Sequence, residues 1–151
     1  MLKKNLHPRS YLPNIKLSHL LLLQAARLRR NINSALIENC DLTLSEKELL
    51  ALVHRAGGQA RMSDVSDGLM FTEGGATKII GRLLGRGFVT RQRSKEDKRV
   101  VLVDITDAGE EKLFEALKVV GEVVHSLLKE TLSSEERAVL SRLLKKLDSH
   151  L

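Results

Sequence analysis

The sequence predicts a mainly α-helical chain with one small β-hairpin, an α+β fold in which long amphipathic helices flank a lobe of shorter ones. Three observations predict it. Apolar residues recur at helical spacing over most of the chain, Ser-x-x-Glu capping boxes mark helix starts, and between Phe88 and Ile105 the period drops from 3.6 to 2.

Taken in order, the first fifteen residues hold Pro8 and Pro13, show no periodicity, and read as an extended arm. From Lys16 to Asn39 the recurrence of Leu17, Leu20, Leu21, Leu28, Ile32 and Leu36 predicts a long helix, and Leu22 and Leu23 widen its apolar stripe beyond one face. In SEKE, Ser45 and Glu48 form a capping box ahead of Leu49, Leu52, Val53 and Ala56, and Gly57 and Gly58 end that helix. A short helix from Ser63, with Val65 and Leu69 inward, leads through Met70 and Phe71 to Thr72. Thr72 caps a helix whose Ala76, Ile79, Ile80, Leu83 and Leu84 face inward, so two helices meet at a tight turn. Residues 88–93 and 100–105 alternate as strands around the charged tip SKEDKR, Ser94 to Arg99. Thr106 caps another long helix, in which Leu113, Leu117, Val120, Val124 and Leu127 follow alternating steps of four and three. A second capping box, SSEE, opens a last helix with Leu140, Leu143, Leu144 and Leu147. Such a rhythm wants a partner helix.

Composition narrows the function. The chain of 151 residues, 42% hydrophobic, is long enough for one buried core. Its single cysteine, Cys40, excludes an intramolecular disulfide, no His or Cys spacing suits structural zinc, and no run approaches the ~18 apolar residues a membrane span needs. A reducing cytoplasm is the expected setting. Gly-x-Ser-x-Gly, His-Glu-x-x-His and phosphate-cradling Gly-Lys-Ser patterns are missing, and three Phe with one Tyr are few to line a cofactor site, so neither enzyme activity nor a cofactor is expected. Charge points elsewhere. Residues 72–99 hold eight basic and three acidic side chains and residues 1–30 hold seven basic and none acidic, whereas the two remaining stretches are net acidic. With a pI near 9.7, this clustering suits a polyanion, because Lys and Arg set along phosphates release condensed counterions.

Helix, helix, turn, helix and charged hairpin form the winged helix-turn-helix order, and FTEGGATKIIGRLLGRGFVTR followed by the Asp-x-Arg wing DKRVVLVDIT resembles MarR-type transcriptional regulators over nearly the whole chain. The resemblance implies a homodimer interlocked through its long terminal helices, with a recognition helix in the major groove, a wing over the minor groove, and repression as the default outcome. It divides the chain into an arm and first dimerisation helix (1–40), a DNA-binding lobe (41–105) and C-terminal dimerisation helices (106–151). Thr72, Gly74, Gly75, Ala76, Thr77, Lys78 and Arg82 of the recognition helix, with Lys95, Lys98 and Arg99 of the wing, are then expected to meet double-stranded DNA. Glycine inside a helix costs ~1 kcal/mol relative to alanine, so Gly74, Gly75 and Gly81 fit a helix that something approaches closely. Asp97 cannot favour a phosphate; it is expected to shape the wing, pairing with an Arg or accepting backbone amides. The rival reading is a winged-helix module that binds protein through the same basic face.

The resemblance also implies a pocket for a small aromatic or anionic effector where dimerisation helices meet the lobe, with His19, Arg27, Arg30 and His54 as candidate lining. Cys40 lies in the acidic context ENCD at the end of the first long helix and is expected to pack rather than sense oxidants. The chain departs from the family pattern at Met70, where a small turn residue is usual, at Gly68, where a larger one is common, and at Glu73, where proline is frequent. Glu73 could complement the helix dipole or accept from a cytosine amino group, and the dipole role is favoured.

Overall fold

The computed structural model describes residues 11–68 and 73–149. Helix α1 (Leu12–Cys40) begins earlier than expected. Pro13 lies in its first turn, where the missing N–H would have no partner and the fixed φ suits a helix, so the proline that reads as arm opens the helix instead. Asp41 closes α1 in the left-handed conformation, φ 51°, its N–H donating to the Ile37 carbonyl and that of Leu42 to the Leu36 carbonyl. Helix α2 (Leu44–Arg55) is capped by Thr43 and Glu46, not by the expected Ser45 and Glu48. Both pairs satisfy the same spacing. The earlier start buries Leu44, whose N–H donates to Asn33 Oδ1 at 2.9 Å, and frees Glu48 to pair with Arg29 at 3.1 Å.

The chain then adds β1 (Gln59–Arg61), α3 (Met62–Gly68), α4 (Glu73–Gly85), β2 (Val89–Arg93), β3 (Val101–Ile105), α5 (Asp107–Thr131) and α6 (Ser134–Asp148). Strands β2 and β3 form the expected hairpin, with Arg91 opposite Val103. Strand β1 was not anticipated: it pairs antiparallel with β3, Ala60 opposite Val103, giving a three-stranded sheet in the order β1–β3–β2. A three-residue strand is too short to show a period, and its hydrogen bonds lie more than forty residues away. The segment Leu69 to Thr72, with the expected cap Thr72 and the departure Met70, lies outside the described residues.

One core joins these elements. Leu36 and Cys40 of α1, Leu49 and Val53 of α2, Leu83 of α4, Val103 of β3 and Leu113 of α5 are all buried in it. Thr106 caps α5 by accepting the Gly109 N–H at 3.0 Å, and Ser133 with Glu136 forms the expected capping box of α6. Yet α6 buries no residue, and Val139, Leu140, Leu143, Leu144 and Leu147 are each 40–50% exposed. The first half of α1 is similarly bare, Leu22 being 71% exposed. Among the described residues no helix is long and apolar enough to cross a membrane.

Candidate nucleic-acid interface

Helix α4 is sorted into two faces by its sequence. Ala76, Ile79, Ile80 and Leu83 are buried, while Thr77, Lys78, Gly81 and Arg82 are exposed. Ala76 therefore corrects the expected contact set: at 0% exposure its methyl belongs to the inward stripe and cannot meet a ligand outside. Gly74 and Gly75 lie in the first turn. An added Cβ at Gly81 would meet no atom within 4 Å, so internal packing does not require glycine there. Arg82 does not share the open surroundings of Lys78. Its Nη1 stands 3.8 Å from Oε1 of Glu46, a carboxylate only 3% exposed that also accepts from the Thr43 N–H and hydroxyl.

Helix α4 passes into the wing by a turn at Gly87, whose φ of 73° falls where only glycine is comfortable. The wing tip has its own scaffold. Ser94 Oγ accepts from the N–H groups of Glu96 and Asp97, and Val100 N–H donates to the Asp97 carbonyl. Asp97 Oδ1 accepts the Arg99 N–H at 2.9 Å, so the carboxylate is turned into the loop and its negative charge is engaged there. Lys95, Lys98 and Arg99 are left exposed around it. Beneath, an open cleft of about 790 Å³ has a mixed lining, with Arg61, Arg93 and Lys95 set against Asp64, Glu96 and Asp97. Arg61, Arg91 and Arg93, exposed on the strands, were missed from sequence; strand alternation, which sets Arg91 and Arg93 on one face, was the available signal. On the opposite face, Asp104 of the central strand accepts from the side-chain amides of Gln59 and Gln92, tying both outer strands to it.

The four expected effector-lining residues are not brought together. His19, Arg27 and Arg30 are exposed on α1, whereas His54, at the end of α2, meets Glu110 Oε1 at 2.9 Å through Nδ1 and packs edge-on to Phe114, 5.6 Å between ring centroids. None of them lines the cleft beneath the wing or the shallower one of about 520 Å³ between Asp41 and Arg86. Cys40 is buried in the core, and burial first, then the Glu115 carboxylate, pushes its thiol above the usual range, which disfavours the reactive thiolate.

Known proteins share this arrangement. The MarR family model matches residues 42–101, from the start of α2 into β3. The multiple antibiotic resistance protein MarR of Salmonella typhimurium is 30% identical over 107 residues, covering 71% of this chain and 74% of the relative. Its namesake from Escherichia coli is 37% identical over 73 residues, covering 48% and 51%. The chain spans about half to two thirds of the length of several curated relatives it matches. Among solved structures, a mutant of Escherichia coli MarR complexed with operator DNA superposes with a TM-score of 0.77 at 28% identity, over 91% of this chain and 96% of that one. With the family model matched over residues 42–101, a MarR protein 30% identical over 74% of its length, and the operator-bound MarR fold superposing over 91% of this chain, this chain belongs to the MarR family.

Proposed function

We propose that this chain is a sequence-specific, double-stranded-DNA-binding transcriptional regulator, a ligand-responsive repressor that acts as a homodimer on a pseudo-palindromic operator. The observation that carries the reading is the division of α4: one face is locked into the core, and the other offers Lys78 beside backbone that side chains leave open. The wing that follows offers Lys95, Lys98 and Arg99 on a loop fixed by its own hydrogen bonds. A rigid element that presents cations suits a groove, where phosphate contacts position the protein and base edges specify the site. The related Escherichia coli protein with operator DNA bound supports the same reading.

Residues 41–105 act as the DNA-binding lobe, and residues 1–40 and 106–151 supply the dimerisation helices. The bare apolar face of α6 supports this division, since a 15-residue helix that buries nothing gains no packing to offset its ordering. Two recognition helices related by a two-fold axis read half-sites centred ~10 base pairs apart. A small aromatic or anionic effector binds where α1 and α5 meet the lobe, near His54 and its Glu110 partner; His19, Arg27 and Arg30, spread along the exposed face of α1, do not converge on that place within one chain.

Gel retardation of genomic duplexes against excess nonspecific competitor tests the proposal. Retention that depends on sequence supports it. A protein-interaction module on the same scaffold would show none.

A further inference from the structure

The turn that closes α4 is gripped from two sides. On one side Arg86 reaches the corner between α1 and α2: Nη1 donates to the Asp41 carbonyl at 2.6 Å, Nη2 meets the Asp41 carboxylate at 3.1 Å, and the guanidinium lies 4.8 Å from the Phe88 ring centroid. One helical turn earlier, Arg82 approaches Glu46 of the same corner. On the other side the start of α5 closes on the same turn. The Thr106 N–H donates to the Phe88 carbonyl at 3.1 Å and its hydroxyl to the Gly87 carbonyl at 2.7 Å. Gly109 comes so close that a Cβ there would lie 2.0 Å from the Phe88 carbonyl oxygen.

We propose that the Arg86–Phe88 turn is the joint through which α1 and α5 set the angle of α4, and that Arg86 is a positioning residue of this joint rather than a DNA contact. The proposal rests on the reading of α4 as the helix that meets DNA. Lys78, Arg82 and Arg86 look like one basic stripe in the sequence, but each step of four residues turns the helix by about 40° beyond a full circle. Over two steps the stripe drifts about 80°, from open solvent at Lys78 to the α1–α2 corner at Arg86. The corner needs a planar fork. A guanidinium reaches a carbonyl and a carboxylate at once while stacking on a ring, which a lysine ammonium does not reproduce. Asp41 is itself the closing residue of α1, so a shift of that helix end moves the acceptors of Arg86 directly. The ion pair is exposed on the Asp41 side and adds little to stability; what it fixes is orientation.

Half-site spacing provides the test. Affinities of the full chain, Arg86→Lys and Arg86→Gln are measured for duplexes with half-sites one turn apart and for duplexes with one base pair added or removed. Both variants are expected to lose about three- to tenfold of the wild-type preference for the one-turn spacing, with thermal midpoint and salt slope unchanged. A preserved preference overturns the proposal. So does rescue by lysine together with a salt slope lowered by about one in Arg86→Gln, the signature of a phosphate contact. A wild-type chain that retains no duplex would sink the DNA reading alone, and the joint is then read without DNA, from spin labels at Glu38→Cys and Gly81→Cys in chains whose Cys40 is alanine, diluted with unlabelled protein. The α1–α4 distance distribution should broaden in Arg86→Gln; an unchanged distribution refutes the joint.

Discussion

The lobe from α2 to β3 and the terminal helices solve the same problem differently. In the lobe every helix longer than two turns hides its apolar stripe within one chain: Leu49, Leu50 and Val53 of α2 and Ile80 and Leu83 of α4 are all but inaccessible. In α6 and the first half of α1 the stripes are as apolar and remain half exposed. The capping boxes of α2 and α6 are alike, so local signals do not distinguish the two cases. The difference lies in what each stripe packs against. One region is complete alone, and the other, on the reading proposed above, is finished by a second copy.

Breaking the second copy's contribution should have the largest effect. Leu143→Glu, in the middle of the bare face of α6, is expected to halve the sedimenting mass and weaken operator binding about 100-fold or more, because two half-sites are then no longer engaged together. An unchanged mass would show that α6 is not the dimer contact. Two glycines of α5 sharpen the contrast next. Gly109→Ala drives a methyl into the Phe88 carbonyl and should lower stability by ~2–4 kcal/mol, read from denaturant midpoints. Gly121 faces open space within one chain, so Gly121→Ala should stabilise by ~0.5–1 kcal/mol; a loss there would reveal the close approach of the partner.

The wing, outside both cores, should change binding and leave folding alone. Arg99→Ala is expected to weaken operator binding by ~1–3 kcal/mol and to lower the salt slope by about one if the guanidinium neutralises a phosphate. Asp97→Ala should weaken binding with the slope unchanged, since it loosens the loop through the lost Arg99 N–H bond. Titration at several salt concentrations separates the two. The smallest effect concerns the α6 cap. Backbone and side-chain hydrogen bonds from Ser133 hold the Glu136 carboxyl below its ordinary range. Its contribution is present above the unfolded value and disappears as pH falls through the lowered folded one. Ser133→Ala keeps the backbone donor and removes the hydroxyl, so it should raise the Glu136 titration midpoint seen by NMR only in part, and an unmoved midpoint would mean the hydroxyl contributes no bond in solution.

What the sequence revealed divides along the same line. Helix existence followed from periodicity, and the hairpin from the switch to period 2 at Phe88. Details that depend on distant partners were hidden. Thr43 and Ser45 offer equal capping boxes, and the choice is made by Asn33 and by burial of Leu44, eleven residues and more away. Strand β1 exists because β3 accepts it. Pro13 could open a helix or close an arm, and only the helix that follows decides. The exposure of Lys78 was readable from the helical period, and that of the wing cations from a charged run set between two alternating strands. The inward drift of the basic stripe to Glu46 and Asp41 was not, since the corner that receives it is built by another segment.

Selection of duplexes from a random-sequence pool with the full chain, followed by footprinting of the winners, tests the central claim most directly. An enriched pseudo-palindrome is expected, with half-sites centred ~10 base pairs apart, protected on both halves and bound by two chains. A pool that yields no common sequence, or one asymmetric half-site bound by a single chain, would contradict it.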